Sequence, residues 1–148
     1  MTSLSTPVQA APIGPPAYSQ TFPCEPRTAA IGRKLVRDAL AVWHLNGLAD
    51  PAALIISELI ANASRHTPCH SIRLLVRRPS TARVRVGVVD RAPSRLPVLG
   101  SADGGAESGR GLLLVDEIAD RWGYDLRGSG RRPWGKEVWA ELLTGADG

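Results

Sequence analysis

Ser71-Ile72-Arg73-Leu74-Leu75-Val76-Arg77-Arg78 and, after Pro79-Ser80-Thr81, the run Ala82-Arg83-Val84-Arg85-Val86-Gly87-Val88-Val89-Asp90 both alternate with a period of two. Ile72, Leu74 and Val76 share one face of the first segment, and Val84, Val86 and Val88 share one face of the second. That is the pattern of two half-buried strands, since successive side chains of a strand point to opposite faces. The short connection makes them an antiparallel hairpin, and the basic residues on the other face leave a single apolar face for helices to cover.

Upstream of the hairpin, Pro26 precedes a helical pattern that places Ile31, Leu35, Ala39 and Val42 on one face and ends near Gly47. Asp50-Pro51 reads as an N-cap followed by proline at the first helical position, opening a helix over 51–65 that Pro68 closes. Downstream, residues 91–108 read as a long loop, of a length that is usually functional. A helix over 111–120, a strand over 122–127, a turn over 128–134 and a strand over 136–143 follow. Ser19-Gln20-Thr21-Phe22 is a short strand or anchoring stretch, and residues 1–18, with four prolines and almost no charge, read as a disordered tail. The expected architecture is α+β: a two-layer sandwich over 19–145, with a mixed, mostly antiparallel sheet and helices on one face.

The chain has 148 residues, 43% of them hydrophobic, which suits one domain with a real core. Two cysteines, Cys24 and Cys69, and no leader-like start point to an intracellular, cytoplasmic chain without a disulfide framework. No apolar run approaches a membrane span. The net charge of +4 comes from scattered arginines with no basic stripe, which reads as a solvated surface rather than a nucleic-acid interface.

Glu58 and Asn62 stand four apart, on one face of a helix if they are helical. An amide oxygen is a hard ligand for magnesium and a carboxylate can take a proton from a nucleophile, although two such residues also occur on ordinary amphipathic helices. Glu107-Ser108-Gly109-Arg110-Gly111-Leu112 leaves a loop and starts a helix, where glycines and free N–H groups favour phosphate. Gly130 to Lys136 has P-loop spacing, but Glu137 replaces the required Ser or Thr and a strand follows instead of a helix. His66, Cys69 and His70 lack a fourth ligand for zinc.

Taken in order, Glu58-Leu59-Ile60-Ala61-Asn62-Ala63, the hairpin end Val88-Val89-Asp90, Gly109-Arg110-Gly111-Leu112 and Gly135-Lys136-Glu137-Val138-Trp139 resemble the GHKL, or Bergerat-fold, ATPase superfamily. Within it the likeness is to anti-sigma-factor serine/threonine kinases and their small actinobacterial relatives, and it runs from about Phe22 to Leu143. The resemblance implies ATP and Mg2+ as cofactors, with Asn62 as the magnesium ligand and Glu58 as the carboxylate that activates the attacking hydroxyl or water. Asp90 then accepts from the adenine amino group, and Gly109, Arg110 and Gly111, backed by Leu112, form the phosphate-side turn. Residues 91–108 become the lid, and Arg65 and His66 reach the phosphates. The implied activity is phosphorylation of a small antagonist protein, with a sigma factor as a further partner; homodimerisation stays open, and neither nucleic acid nor membrane is expected as a partner. The alternative is a non-catalytic module that binds nucleotide or partner and acts by stoichiometric sequestration. Two departures bear on the site: the family's Asp-x-Gly-x-Gly reads Asp90-Arg91-Ala92-Pro93-Ser94, and Glu137 stands where many relatives carry threonine beside the adenine, so that it either repels the nucleotide or faces solvent.

Overall fold

The computed structural model describes residues 17–65, 70–93, 106–128 and 132–145, with only the backbone at position 65 and over 106–111. Five strands, β1 (Ala17–Pro23), β2 (Ser71–Ser80), β3 (Arg83–Asp90), β4 (Arg121–Arg127) and β5 (Gly135–Leu143), form one sheet in the order β1-β2-β3-β5-β4. Three helices, α1 (Thr28–Val42), α2 (Ala49–Arg65) and α3 (Ala106–Ile118), accompany it, with a short 3-10 turn at Asn46–Leu48. The chain is α+β, as its patterning requires. All pairings among the described strands are antiparallel, where a mixed sheet was expected.

Register and alternation together place the core. Leu74 pairs with Val88, Val76 with Val86, Val86 with Ala140 and Val88 with Val138. These side chains are almost fully buried in one cluster with Leu35, Leu40, Ile55, Ile56, Leu59 and Leu112 from the helices. The apolar face of the hairpin is therefore the helix-bearing face. Pro79 sits where the β2/β3 register shifts, between Arg77 and Ser80, which is where a residue without an N–H does least harm to the ladder.

Helix α1 is turned from the expected face. It buries Thr28, Gly32, Leu35, Val36, Ala39 and Leu40, while Ile31 and Val42 are exposed. The cause is Gly32: a Cβ built there would stand 2.6 Å from Ile60 Cδ1 and 3.2 Å from Leu74 Cδ1, so the helix comes closest to its neighbours at a residue with no apolar signal. Helix α2 starts at Ala49, so Asp50 lies in its first turn rather than ahead of it, bonded to Arg37 of α1 at 3.0 Å. Pro51 follows in the same turn, where its missing N–H costs no helical bond. Strand β1 starts at Ala17, so Ala17 and Tyr18 belong to the sheet rather than to the tail, and Tyr18 lies 5.6 Å from the Trp43 ring. The rest of the expected tail, 1–16, lies outside the described residues.

Cys24 is disulfide-bonded, against the expectation of a chain without cross-links; Cys69 lies outside the described residues. Among the described residues no helix is long and apolar enough to cross a membrane.

The end of α1 carries backbone strain. The Leu45 N–H bonds to the Leu40 carbonyl at 2.8 Å and the His44 N–H to the Ala41 carbonyl at 3.1 Å, the paired bonds of a Schellman turn. His44 takes the left-handed position with φ of 60°, where a side chain is normally unfavourable. Replacing His44 by glycine is therefore expected to stabilise the protein by about 1 kcal/mol, read as a higher urea midpoint at unchanged slope.

Candidate functional site

Helix α2 packs against both β3 and α3. Its apolar stripe, Ile55, Ile56, Leu59, Ile60 and Ala63, is buried, and Asn62 is buried beside it at 3% exposure. Glu58, one turn earlier, is half-buried. Among the described residues nothing hydrogen-bonds the Asn62 amide, so its oxygen is uncommitted. The helix ends at Arg65 and β2 starts at Ser71, so Asn62 lies near the end of the sheet where β2 begins and β3 terminates in Asp90.

Asp90 is 4% exposed and its register partner on β5 is Lys136. The two share the helix-bearing face with Val88 and Val138. Lys136, completely buried, donates from Nζ to both carboxylate oxygens of Asp90 at 2.9 Å and to the Ala92 carbonyl at 2.8 Å. The Ala92 N–H donates to Asp90 Oδ1 at 2.8 Å and closes an Asx turn. Among the described residues positive φ occurs only at His44, Gly128 and Gly145, so the backbone at Arg91, Ala92 and Pro93 needs no glycine. A carboxylate offers about four acceptor positions, and this arrangement uses three, leaving one on Oδ2. Gly135 completes the corner, since a Cβ there would collide with the Asp90 carbonyl oxygen.

The other expected site residues are placed differently or lie outside the described residues. Helix α3 begins at Ala106, so Gly109, Arg110 and Gly111 lie inside it rather than in a turn ahead of it, and the expected loop ends sooner. Their backbone N–H groups fall beyond the helix's first free donors and belong to its own ladder. Low helix propensity of glycine made this stretch look like a loop, but packing of α3 on α2 overrides it. Leu112 is buried in the core cluster. His66, the side chain of Arg65 and most of the expected lid, 94–105, lie outside the described residues, as do His66 and Cys69 of the weighed zinc cluster.

Glu137 neither faces solvent nor stands beside Asp90. By alternation it points to the opposite, helix-free face, where it is 2% exposed and held by Arg77 and Arg127. Glu141, 1% exposed, is held on the same face by Arg83 at 3.3 Å, Arg85 at 2.6 Å and Arg121 at 2.5 Å. Between the two glutamates lies Trp139, with the Arg85 guanidinium 4.0 Å from its ring centre. Gly87 faces this layer because a Cβ there would strike the Glu137 carboxylate. The arginines that read as a solvated surface are thus organised around two buried acids, and their apolar stems cover the central strands where no helix does. Burial disfavours the charged form of Glu141, but hydrogen bonds and charge from Arg121 and Arg85 outweigh it and hold the carboxyl below its ordinary range; the Arg121 guanidinium is raised by the same contact.

A cavity of about 430 Å³ opens on this helix-free face at the Asp90 end, away from Glu58 and Asn62, with walls that include Arg73, Leu75, Val89, Arg91, Arg127 and Trp134.

No family model matches the chain. A search of curated proteins finds an uncharacterized protein of Streptomyces coelicolor that is 43% identical over 77 residues, covering 51% of this chain and 70% of that protein. The chain belongs to the same family as that protein. The likeness carries no statement of activity, so the chemistry rests on this chain's own residues.

Lys136 is the residue that sequence reading missed. It has the parity of Val138, Ala140 and Leu142, so a lysine falls on the buried side of its strand, and that position alone demands a buried counter-charge. Lys136→Met is expected to leave Asp90 as an unpaired buried carboxylate and to cost about 3 kcal/mol or more in urea denaturation at neutral pH, with a second change, Asp90→Asn, restoring part of the loss. For Glu141 the folded value lies below the unfolded one, so its contribution is present at neutral pH and is lost as pH falls through the folded value. Glu141→Gln is expected to lose about 2 kcal/mol at pH 7, and the gap to the wild type to narrow as pH falls below the ordinary glutamate range.

Proposed function

We propose that this chain is an ATP-binding regulator with the Bergerat fold of the GHKL superfamily, acting in the cytoplasm as a magnesium-dependent serine/threonine kinase on a small antagonist protein. The observation that carries the reading is the Asn62 amide, buried on α2 and without a hydrogen-bond partner among the described residues, one turn from half-buried Glu58 and near the sheet end where β3 stops at Asp90. A helix layer on one face of an antiparallel sheet agrees with the two-layer architecture of that fold.

The residues present suit the ligand. Asn62 supplies a hard oxygen for Mg2+, and the last acceptor position of Asp90, on Oδ2, is available to an amino group such as that of adenine. Lys136 and the Ala92 N–H hold the Asp90 carboxylate in one orientation, so it is preorganised to accept. Bound magnesium would neutralise phosphate charge and favour attack at the terminal phosphorus. Glu58, half in water, would take the proton of the incoming hydroxyl.

A second reading has its own support. With three acceptor positions of Asp90 filled from within the chain, nucleotide recognition is left a single hydrogen bond at that residue, which favours a module that binds its partner and sequesters it without turnover.

Calorimetric titration with ATP and magnesium separates these. Wild type is expected to bind and Asn62→Ala to bind about tenfold or more weaker; equal affinity of the two, or no binding by either, overturns the nucleotide reading. With labelled ATP and the cognate antagonist, Glu58→Ala is expected to lower phosphate transfer by about 10²-fold or more while ATP binding persists. Full regulatory activity in Glu58→Ala selects the sequestering module instead.

A further inference from the structure

We infer that the cavity on the helix-free face of the sheet is a second binding site, for a small organic phosphate with a planar ring. At about 430 Å³ it has the volume of a small-molecule site, and its floor is built by the outward side chains of β2 and β3, Leu75 and Val89.

Its charge decides the ligand class. Three arginines, Arg73, Arg91 and Arg127, stand in the walls, and the one carboxylate among the lining residues, Asp90, is neutralised by Lys136. Arg127 is committed in part to Glu137, which also has Arg77. Arg73 reaches only a neutral hydroxyl, Ser19 Oγ at 2.9 Å, and the Arg91 guanidinium lies 5.7 Å from the centre of the Trp134 ring. The charges of Arg73 and Arg91 thus stay uncompensated among the described residues, at one strand end beside the apolar floor. The donor fork of a guanidinium suits the oxygens of a phosphate.

Trp134 supplies the other half of the recognition. Its ring is half exposed, and its position is held from below: the Trp134 N–H bonds to the Arg127 carbonyl at 2.9 Å, and Gly128, at φ of 111°, leaves room for the ring's edge, since a Cβ there would stand 3.0 Å from Trp134 Cδ1. A large aromatic surface kept partly in water beside a guanidinium is a stacking platform for a planar group attached to the anion.

The arginines and the apolar floor of this site lie on the other face of the sheet from Asn62, and Asp90, at the strand end, borders both sites. The test is titration calorimetry of the full chain at low ionic strength with 1-naphthyl phosphate, inorganic phosphate and 1-naphthol. Saturable binding of 1-naphthyl phosphate is expected, with inorganic phosphate weaker and neutral 1-naphthol silent. Arg73→Glu and Trp134→Ala, both at exposed positions, are each expected to weaken 1-naphthyl phosphate about tenfold or more while melting as the wild type does, and Asn62→Ala to leave it unchanged. Arg73→Gln is expected to fall between wild type and Arg73→Glu, which separates lost charge from a disturbed fold. No saturable binding by the wild type, or undiminished binding in either Arg73→Glu or Trp134→Ala, overturns the assignment. Loss of binding in Asn62→Ala moves the ligand to the helix-bearing face and overturns it equally.

Discussion

Charge removed from water must meet its counter-charge inside the protein, and β5 carries buried charge on both of its faces. Lys136 points to the helices and meets Asp90; Glu137 and Glu141 point the other way and meet arginines from β2, β3 and β4. This fixes the sheet more firmly than the apolar pattern does. Moving β5 by one residue would set Glu137 beside Asp90 in the core and Lys136 among the arginines, two like-charge encounters out of water. A slip that swaps faces is costly in any half-buried strand; here each wrong register also adds repulsion.

The same network explains how a sheet covered by helices on one face can keep its middle strands dry on both. Val89 and Gly87 on β3 and the whole of β5 up to Leu142 are largely buried although, among the described residues, no helix lies over their outer side. Arginine stems, Trp139 and the paired glutamates take the place of a second helical layer. Such a cover is polar at its rim and apolar beneath, and a cavity opens where the arginines diverge, at the end near Arg73 and Arg91.

Much of this fold was legible from strand periodicity. The hairpin over 71–90, the final strand pair and the helix ending at Arg65 were each placed within a few residues, because alternation and the apolar run at 52–60 are strong local signals. The errors fall where glycine or charge carries the packing. Gly32 turned α1 because the point of closest approach has no side chain to count. Gly109 and Gly111 hid the start of α3, whose helix is held by contact with α2. The arginines looked scattered in the chain because their common partners, Glu137 and Glu141, lie 10 to 60 positions away and meet them only across strand register.

For the candidate site the distinction is similar. Glu58, Asn62 and Asp90 could be named from spacing and resemblance, since each sits in a local phrase. Lys136 could not, although strand parity placed it on the buried side: nothing in the local phrase says that it reaches Asp90. That contact sets what Asp90 can do. A free carboxylate would attract any donor and repel a phosphate, whereas one held by Lys136 and the Ala92 N–H is neutral in sum, fixed in direction and open at one position. Arg91, the next residue, has the opposite parity and turns its charge to the cavity on the other face. One strand end therefore presents a neutralised acceptor on the helix side and, among the described residues, an uncompensated cation on the open side, so the single peptide step from Asp90 to Arg91 separates two electrostatic environments.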